Sequence, residues 1–245
     1  MDMSKIAIVA ALEREIWPLV RDWPVHETPY DGRTFRFFEN AETVLVCGGI
    51  GAEAARRAAQ AIIGLYSPQL IYSVGFAGSA TDMVKVGDVF IPRHVVNAKD
   101  GSSVDTATGQ GVLVTFTGVA SPEQKTKLGS SFGAHAVDME ASAVARAAEA
   151  RGIRFAAVKA ISDASDFTLP PIDTFIGPAG QFRTRKFAIF LLLRPWLWGA
   201  AMRLARNSTQ ASRALCTSLK QSIEEMSRQS MPIPRPSRME APTGR

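Results

Sequence analysis

Residues 134–166, AHAVDMEASAVARAAEARGIRFAAVKAISDASD, hold a short apolar run, the triplet Asp138-Met139-Glu140, an alanine-rich segment with helical spacing, and a second apolar run that closes on Asp163. Strand, helix and strand in that order make one repeat of a β/α layout, and they predict a sheet with helices laid over it. Acids at a helix start need no function, since the macrodipole favours a carboxylate there by about 0.3–1 kcal/mol. Whether Asp138 and Glu140 do more depends on where the other acids fall.

Moving outward, KIAIVAA (5–11) predicts a first strand, followed by the polar start of a helix at LEREIWPLV, with Pro18 tolerable only near the first turn. TVLVCGGIGAEAARRAAQAIIGLY (43–66) reads as strand, glycine turn and helix, and PQLIYSVGFAGSA (68–80) as a strand with a glycine-rich exit. GDVFIPRHVVNA and GVLVTFTGVAS add two strands, and a final helix is expected at about 199–227 from the spacing of Met202, Ala205, Ser208, Ala211, Leu215, Leu219 and Ile223. The expectation is one α/β domain, its central mixed, largely parallel twisted sheet flanked by helices in three αβα layers. Such sheets bind ligands at the carboxyl ends of their strands. Glu15, the glycines at 48–51, GFAGS (75–79), Met139-Glu140 and Asp163 all fall at that edge.

The composition is that of an ordinary globular protein, 46% apolar and 21% charged over 245 residues. Cys47 and Cys216 lie far apart with neither disulfide nor metal spacing, which suits a reduced, cytoplasmic protein. The N-terminal apolar run is too short for a signal peptide or membrane span. Net charge is +5, but residues 182–245 carry 12 Lys/Arg against 3 Asp/Glu, so an anionic or membrane-surface contact is expected at that end. Residues 1–228 are expected to form the domain, and the Pro- and Arg-rich 229–245 a flexible basic tail.

Carboxylates converging on a cleft can divide acid and base roles, and Glu15, Glu140 and Asp163 are the available set. By position alone Asp163 is either a catalytic acid or, the reading its place favours, the N-cap of a following helix. GIGAEA (49–54) matches the dinucleotide glycine pattern, yet the next strand ends in SVGFAGS with no acid for a ribose, so a tight turn explains the glycines better. GFAGS could cradle an anion or sugar hydroxyl, or simply turn. His26, His94 and His135 suggest no pairing, and no G-x-S-x-G elbow or metal-ligand cluster is present.

In order, IAIVAALEREI, GGIGAEAARRAA, SVGFAGSATDMVKVGDVFIP and VDMEASAVARAAEARGIRFAAVKAISDASD resemble the superfamily of nucleoside phosphorylases and methylthioadenosine/S-adenosylhomocysteine nucleosidases across most of residues 5–166. The resemblance implies that Met139 packs on a ribose, Glu140 accepts from its hydroxyls, and Phe76, Ala77, Gly78 and Ser162 complete the substrate site. It further implies Asp163 as general acid toward purine N7 and Glu15 as activator of a water. Glycosidic cleavage builds positive character on the sugar, which carboxylates stabilise, so no metal or redox cofactor is needed. Bulky Phe76 and the placement of Arg14 favour water over phosphate. The alternatives are a phosphorylase, a nucleosidase of soluble adenosine thioethers, and a non-catalytic nucleoside-binding module. No nucleic-acid partner is expected, and a homodimer is.

Residues 170–198 form an insertion whose RTRKFAIFLLLRPWLW combines basic and large apolar side chains. It is too short to span a bilayer and suits either an interfacial segment at the inner face of the membrane or a subunit interface. With the two motifs before it, this extension resembles the hopanoid-associated phosphorylases, which implies adenosylhopane, a lipid nucleoside, as substrate.

Overall fold

The computed structural model describes residues 6–230, the last five by their backbone alone; the expected tail lies outside the described residues from 231 onward. The chain runs β1 (Ile6–Ala10), α1 (Glu13–Val20), β2 (Val25–Tyr30), β3 (Arg33–Glu39), β4 (Thr43–Cys47), α2 (Ala52–Tyr66), β5 (Leu70–Ser79), β6 (Val89–Phe90), β7 (His94–Asn97), β8 (Ser103–Asp105), β9 (Val112–Thr115), α3 (Pro122–Phe132), β10 (Ala134–Asp138), α4 (Ala141–Glu149), β11 (Arg154–Asp163), α5 (Thr184–Leu192) and α6 (Trp198–Ser230). One 11-stranded mixed sheet has the order β2-β3-β4-β1-β5-β10-β9-β7-β8, with β11 on the other edge of β5 and β6 on β11. The α/β expectation holds.

Strand parity sorts the core into two layers. Ala7, Val9, Val44, Val46, Ala157 and Ile161 point to the face covered by α2 and α4, whose alanines let the helix backbones come close to the sheet. The alternate residues Ile8, Ala10, Leu45, Val158 and Ala160 point to the opposite face, where Ile16 and Leu19 of α1 meet Leu215 and Leu219 of α6. Each buried leucine contributes roughly 2 kcal/mol by leaving water, so α6 is welded to the sheet along its middle.

The site exists because β5 changes partners. Its first half, Leu70–Val74, pairs with β1 in parallel, and its last two residues, Gly78 and Ser79, pair antiparallel with β10. Among the described residues, Gly75, Phe76 and Ala77 have no strand on that edge, while β11 covers the other edge throughout. The sheet therefore opens into a cleft above these three residues, bounded by the ends of β1 and β10.

Several parts of the chain lie beyond the sequence expectation: GDVFIPRHVVNA is two strands, β6 and β7, parted at residues 91–93, and the short β8 follows them. The hairpin β2–β3 turns at Asp31-Gly32, both at positive φ, and the capped helix α3 begins at Ser121, whose side chain accepts from Gln124 N–H while Gln124 answers to the Ser121 amide. Asp163 ends β11 and is followed by a turn at Ser165 and Asp166 rather than by the first turn of a helix, so the N-cap reading of this acid falls.

Candidate active site

All eight residues expected at the site, Glu15, Asp163, Met139, Glu140, Phe76, Ala77, Gly78 and Ser162, line one cavity of about 160 Å³ over the opened edge of β5. The Asp138-Met139-Glu140 triplet splits in two there. Asp138 is the last residue of β10, and its Oδ2 accepts the Ala141 N–H at 2.8 Å while Thr115 Oγ1 donates to Oδ1 at 2.7 Å. Asp138 thus holds the first amide of α4, as the helix-electrostatic reading expects, while also lining the cavity. Glu140 instead faces the cavity, its Oε1 accepting Gly51 N–H at 2.8 Å and its Oε2 accepting Met139 N–H at 3.2 Å.

That first bond also settles the glycine turn. The Gly51 amide is engaged by Glu140, and the Ile50 amide donates to the Gly180 carbonyl at 2.8 Å. Neither is free to cradle a phosphate, and the dinucleotide pattern is a packing feature.

Glu15 enters from the first turn of α1 and is 6% exposed, with no hydrogen-bond partner for Oε2 among the described residues. Gly75 explains how a carboxylate fits so close to the sheet: its φ is +150°, and a Cβ there would lie 2.8 Å from Glu15 Oε2. Burial, reinforced by the Glu140 charge and opposed by Lys159 and Arg14, pushes the Glu15 carboxyl up to about 7. Glu140 is also pushed up to about 7, by burial and then by Asp138, against Lys159 and its two backbone donors.

Two lysines belong to this site, and sequence reasoning misses both. Lys159, 1% exposed, projects from the middle of β11; its Nζ meets Asp138 Oδ2 at 2.9 Å and Ser73 Oγ at 3.1 Å. Burial alone would lower this lysine, but the charges of Asp138, Glu140 and Glu15 hold it above its ordinary range. Its signal was a charge inside the apolar run Phe155–Ile161, where a buried strand residue must find an anion. Lys125, from α3, donates to the Asp163 carboxylate and, at 2.7 Å, to the Ala164 carbonyl; Ser162 Oγ donates to the other Asp163 oxygen at 2.8 Å. Nothing in PEQKTKLGSSF marks Lys125 as the buried one.

Both buried lysines near the cavity are ion-paired, while Arg14 makes a ring contact. Lys159 faces Asp138, Lys125 faces Asp163, and the Arg14 guanidinium stacks on the Phe182 ring at 5.0 Å. Among the described residues, no group of three His, Cys, Asp or Glu side chains is placed to hold a metal ion.

The insertion closes the outer side of the cavity. Phe175 meets Phe187 and Phe190 edge-on at 5.2 and 5.1 Å, so these two phenylalanines of the basic and apolar segment turn inward rather than to its outer surface. The outward residues are Ile189, Leu192, Leu193, Trp196, Trp198 and Met202. Beside the cavity, and sharing Arg14, Phe76, Ile172, Phe182, Leu204 and Ser208 with it, a groove of about 530 Å³ runs between α1, the insertion and α6.

The family model described as the phosphorylase superfamily matches residues 5–122 and 106–174. A 5'-methylthioadenosine/S-adenosylhomocysteine nucleosidase of Exiguobacterium sp. is 24% identical over 201 residues, covering 66% of this chain and 86% of that protein. An aminodeoxyfutalosine nucleosidase of Helicobacter pylori is 25% identical over 67% of this chain and 87% of its own length. In fold, the chain is similar to a Helicobacter pylori nucleosidase mutant crystallised with 5'-methylthioadenosine, at a TM-score of 0.69 and 20% identity, over 91% of this chain and 99% of that one.

Proposed function

We infer, from the premise that the chain belongs to the phosphorylase superfamily, that it is an enzyme hydrolysing the N-glycosidic bond of a purine nucleoside, with adenine as the base. The observation that carries this reading is the arrangement in one cavity of Glu15 and Glu140 at one side and Asp163 with Lys125 at the other. As the bond to the base breaks, positive character grows on the sugar and negative on the purine. Glu140, beside the sugar hydroxyls, and Glu15, taking a proton from the attacking water, stabilise the first; the Asp163 end receives the second. A group held near 7 is suited to act as a base at neutral pH. Water is the nucleophile, because both buried lysines are committed to Asp138 and Asp163 and phosphate would meet the carboxyls of Glu15 and Glu140. Residues 1–228 work as one catalytic unit in this reading.

Incubation with 5'-methylthioadenosine, S-adenosylhomocysteine and a long-chain 5'-alkyl adenosine should release free adenine without phosphate. No base from any of these nucleosides, with or without phosphate, would leave only a nucleoside-binding module.

The finer reading is a nucleoside with an apolar 5' substituent, adenosylhopane being one that fits. What supports it is the groove, walled by Trp17, Phe76, Phe182, Phe187 and Leu204, which continues outward from the cavity. A lipid substrate calls for a membrane-facing surface, and the outward Trp196, Trp198, Leu192, Leu193 and Ile189 sit beside the exposed Arg183, Arg185 and Lys186. No single helix among the described residues is long and apolar enough to cross a membrane, so the contact is interfacial. The protein should co-sediment with anionic liposomes at low salt and bind less as salt rises, since each basic side chain near the surface adds about 1 kcal/mol that screening removes. A protein that stays in the supernatant as a dimer, with both tryptophans shielded from quenchers, would instead place this face between two subunits.

A further inference from the structure

We propose that Lys125 supplies the proton taken by the departing purine at N7, passing it through Asp163; this rests on the nucleosidase reading above. Lys125 is 2% exposed, and a lysine reaches that depth only with partners. Its ammonium donates to one Asp163 oxygen and Ser162 Oγ to the other. Both carboxylate oxygens are therefore acceptors, and the nearest proton that can leave lies on Lys125. In the reaction the C1'–N9 bond breaks with its electron pair going to the base. Lys125 gives its proton to Asp163 and becomes a neutral amine, and Asp163 passes that proton to N7. Glu15 takes the proton of the attacking water, and exchange of both groups with solvent resets the site. An arginine would pair as well but would not release its proton.

Among the described residues that the neighbouring strands and α3 present, Lys125 meets no charge other than Asp163. β11 presents Asp163, and β5 presents Gly78, where a Cβ would stand 3.1 Å from Lys125 Nζ and 2.7 Å from Asp163 Oδ2. On β10, Asp138 faces Lys159, and the His135 ring lies against Gly111 and accepts or shares the Val112 amide. β9 carries no titratable side chain, and Glu123 and Lys127 of α3 are exposed.

Lys125 acts through Asp163, so the test needs readouts that a purely structural role would not move. Full-length wild type, Lys125→Met and Lys125→Arg are compared on 5'-methylthioadenosine across pH, and on the matching 5'-methylthioribosyl 4-nitrophenolate, whose leaving group needs no proton. For Lys125→Met we expect a loss of about 10²-fold on the nucleoside. The nitrophenyl substrate should be cleaved at the wild-type rate. Lys125→Arg, which keeps the ion pair and hence the fold, should be equally slow on the nucleoside. Equal losses on both substrates, or wild-type turnover by Lys125→Arg, would reduce Lys125 to a counterion. A wild type that cleaves no nucleoside would remove the nucleosidase reading and this proton route with it.

Discussion

Glu15→Gln is expected to lose about 10²–10⁴-fold in turnover while gaining thermal stability above neutral pH. The loss follows from removing the base that activates water. The gain follows from linkage. A carboxyl at about 7 in the folded protein and 4.5 otherwise binds more protons folded than unfolded between those values. Its contribution therefore favours the fold at low pH and is lost as pH rises toward and through 7. At pH 8.5 the buried, unpartnered charge costs roughly 1–3 kcal/mol, and the neutral amide avoids most of that. Calorimetry at pH 8.5 should show a melting temperature higher by a few degrees, at about 2–4 °C per kcal/mol for a protein this size. At pH 5 the two proteins should melt alike. A melting temperature unchanged at both pH values would mean that Glu15 is not a strained base, and full activity would remove it from the mechanism. In the wild type, kcat/KM should rise with pH through about 7 as Glu15 ionises.

Asp163→Asn is expected to lose a similar 10²–10⁴-fold in turnover, but with the opposite effect on stability. The amide oxygen can still accept from Lys125, yet the buried ammonium loses its counter-charge, a change that costs about 3 kcal/mol or more when a buried pair is broken. The variant should melt roughly 6–12 °C lower at neutral pH. Differential scanning calorimetry beside single-turnover assays on 5'-methylthioadenosine separates the two effects. Near-full turnover would make Asp163 only the partner that keeps Lys125 buried.

The contrast between these variants shows which parts of the molecule were written plainly in the residues. The strands β1, β4, β5 and β11 are largely apolar runs, and the rule that ligands gather at strand ends was enough to bring Glu15, Glu140 and Asp163 together. The β2–β3 hairpin was harder, because VHETPY is mostly exposed and lacks the alternation that marks a strand. Helix α3 was hidden for the same reason: only Lys125 and Leu128 are buried on it. Asp138 and Glu140 could not be told apart in sequence, since what distinguishes them is the bend at Met139 and Glu140 after β10, which points one carboxylate at the Ala141 amide and the other at Gly51. The inward turn of Phe187 and Phe190 depends on Phe175, a contact that spacing within the insertion could not reveal.

Helix α6 begins at Trp198 and, at Ser212, donates from Oγ to the Glu15 carbonyl at 2.9 Å. At 1.5 Å per residue, the stretch between those points is about 21 Å long. A bilayer touched by the tryptophan end would thus stay some way from the water-activating carboxylate, and a lipid nucleoside would have to be drawn partly out of its leaflet before cleavage. Turnover of such a substrate would then follow its mole fraction in the surface, and inert lipid added at constant total substrate would slow the reaction by dilution in two dimensions.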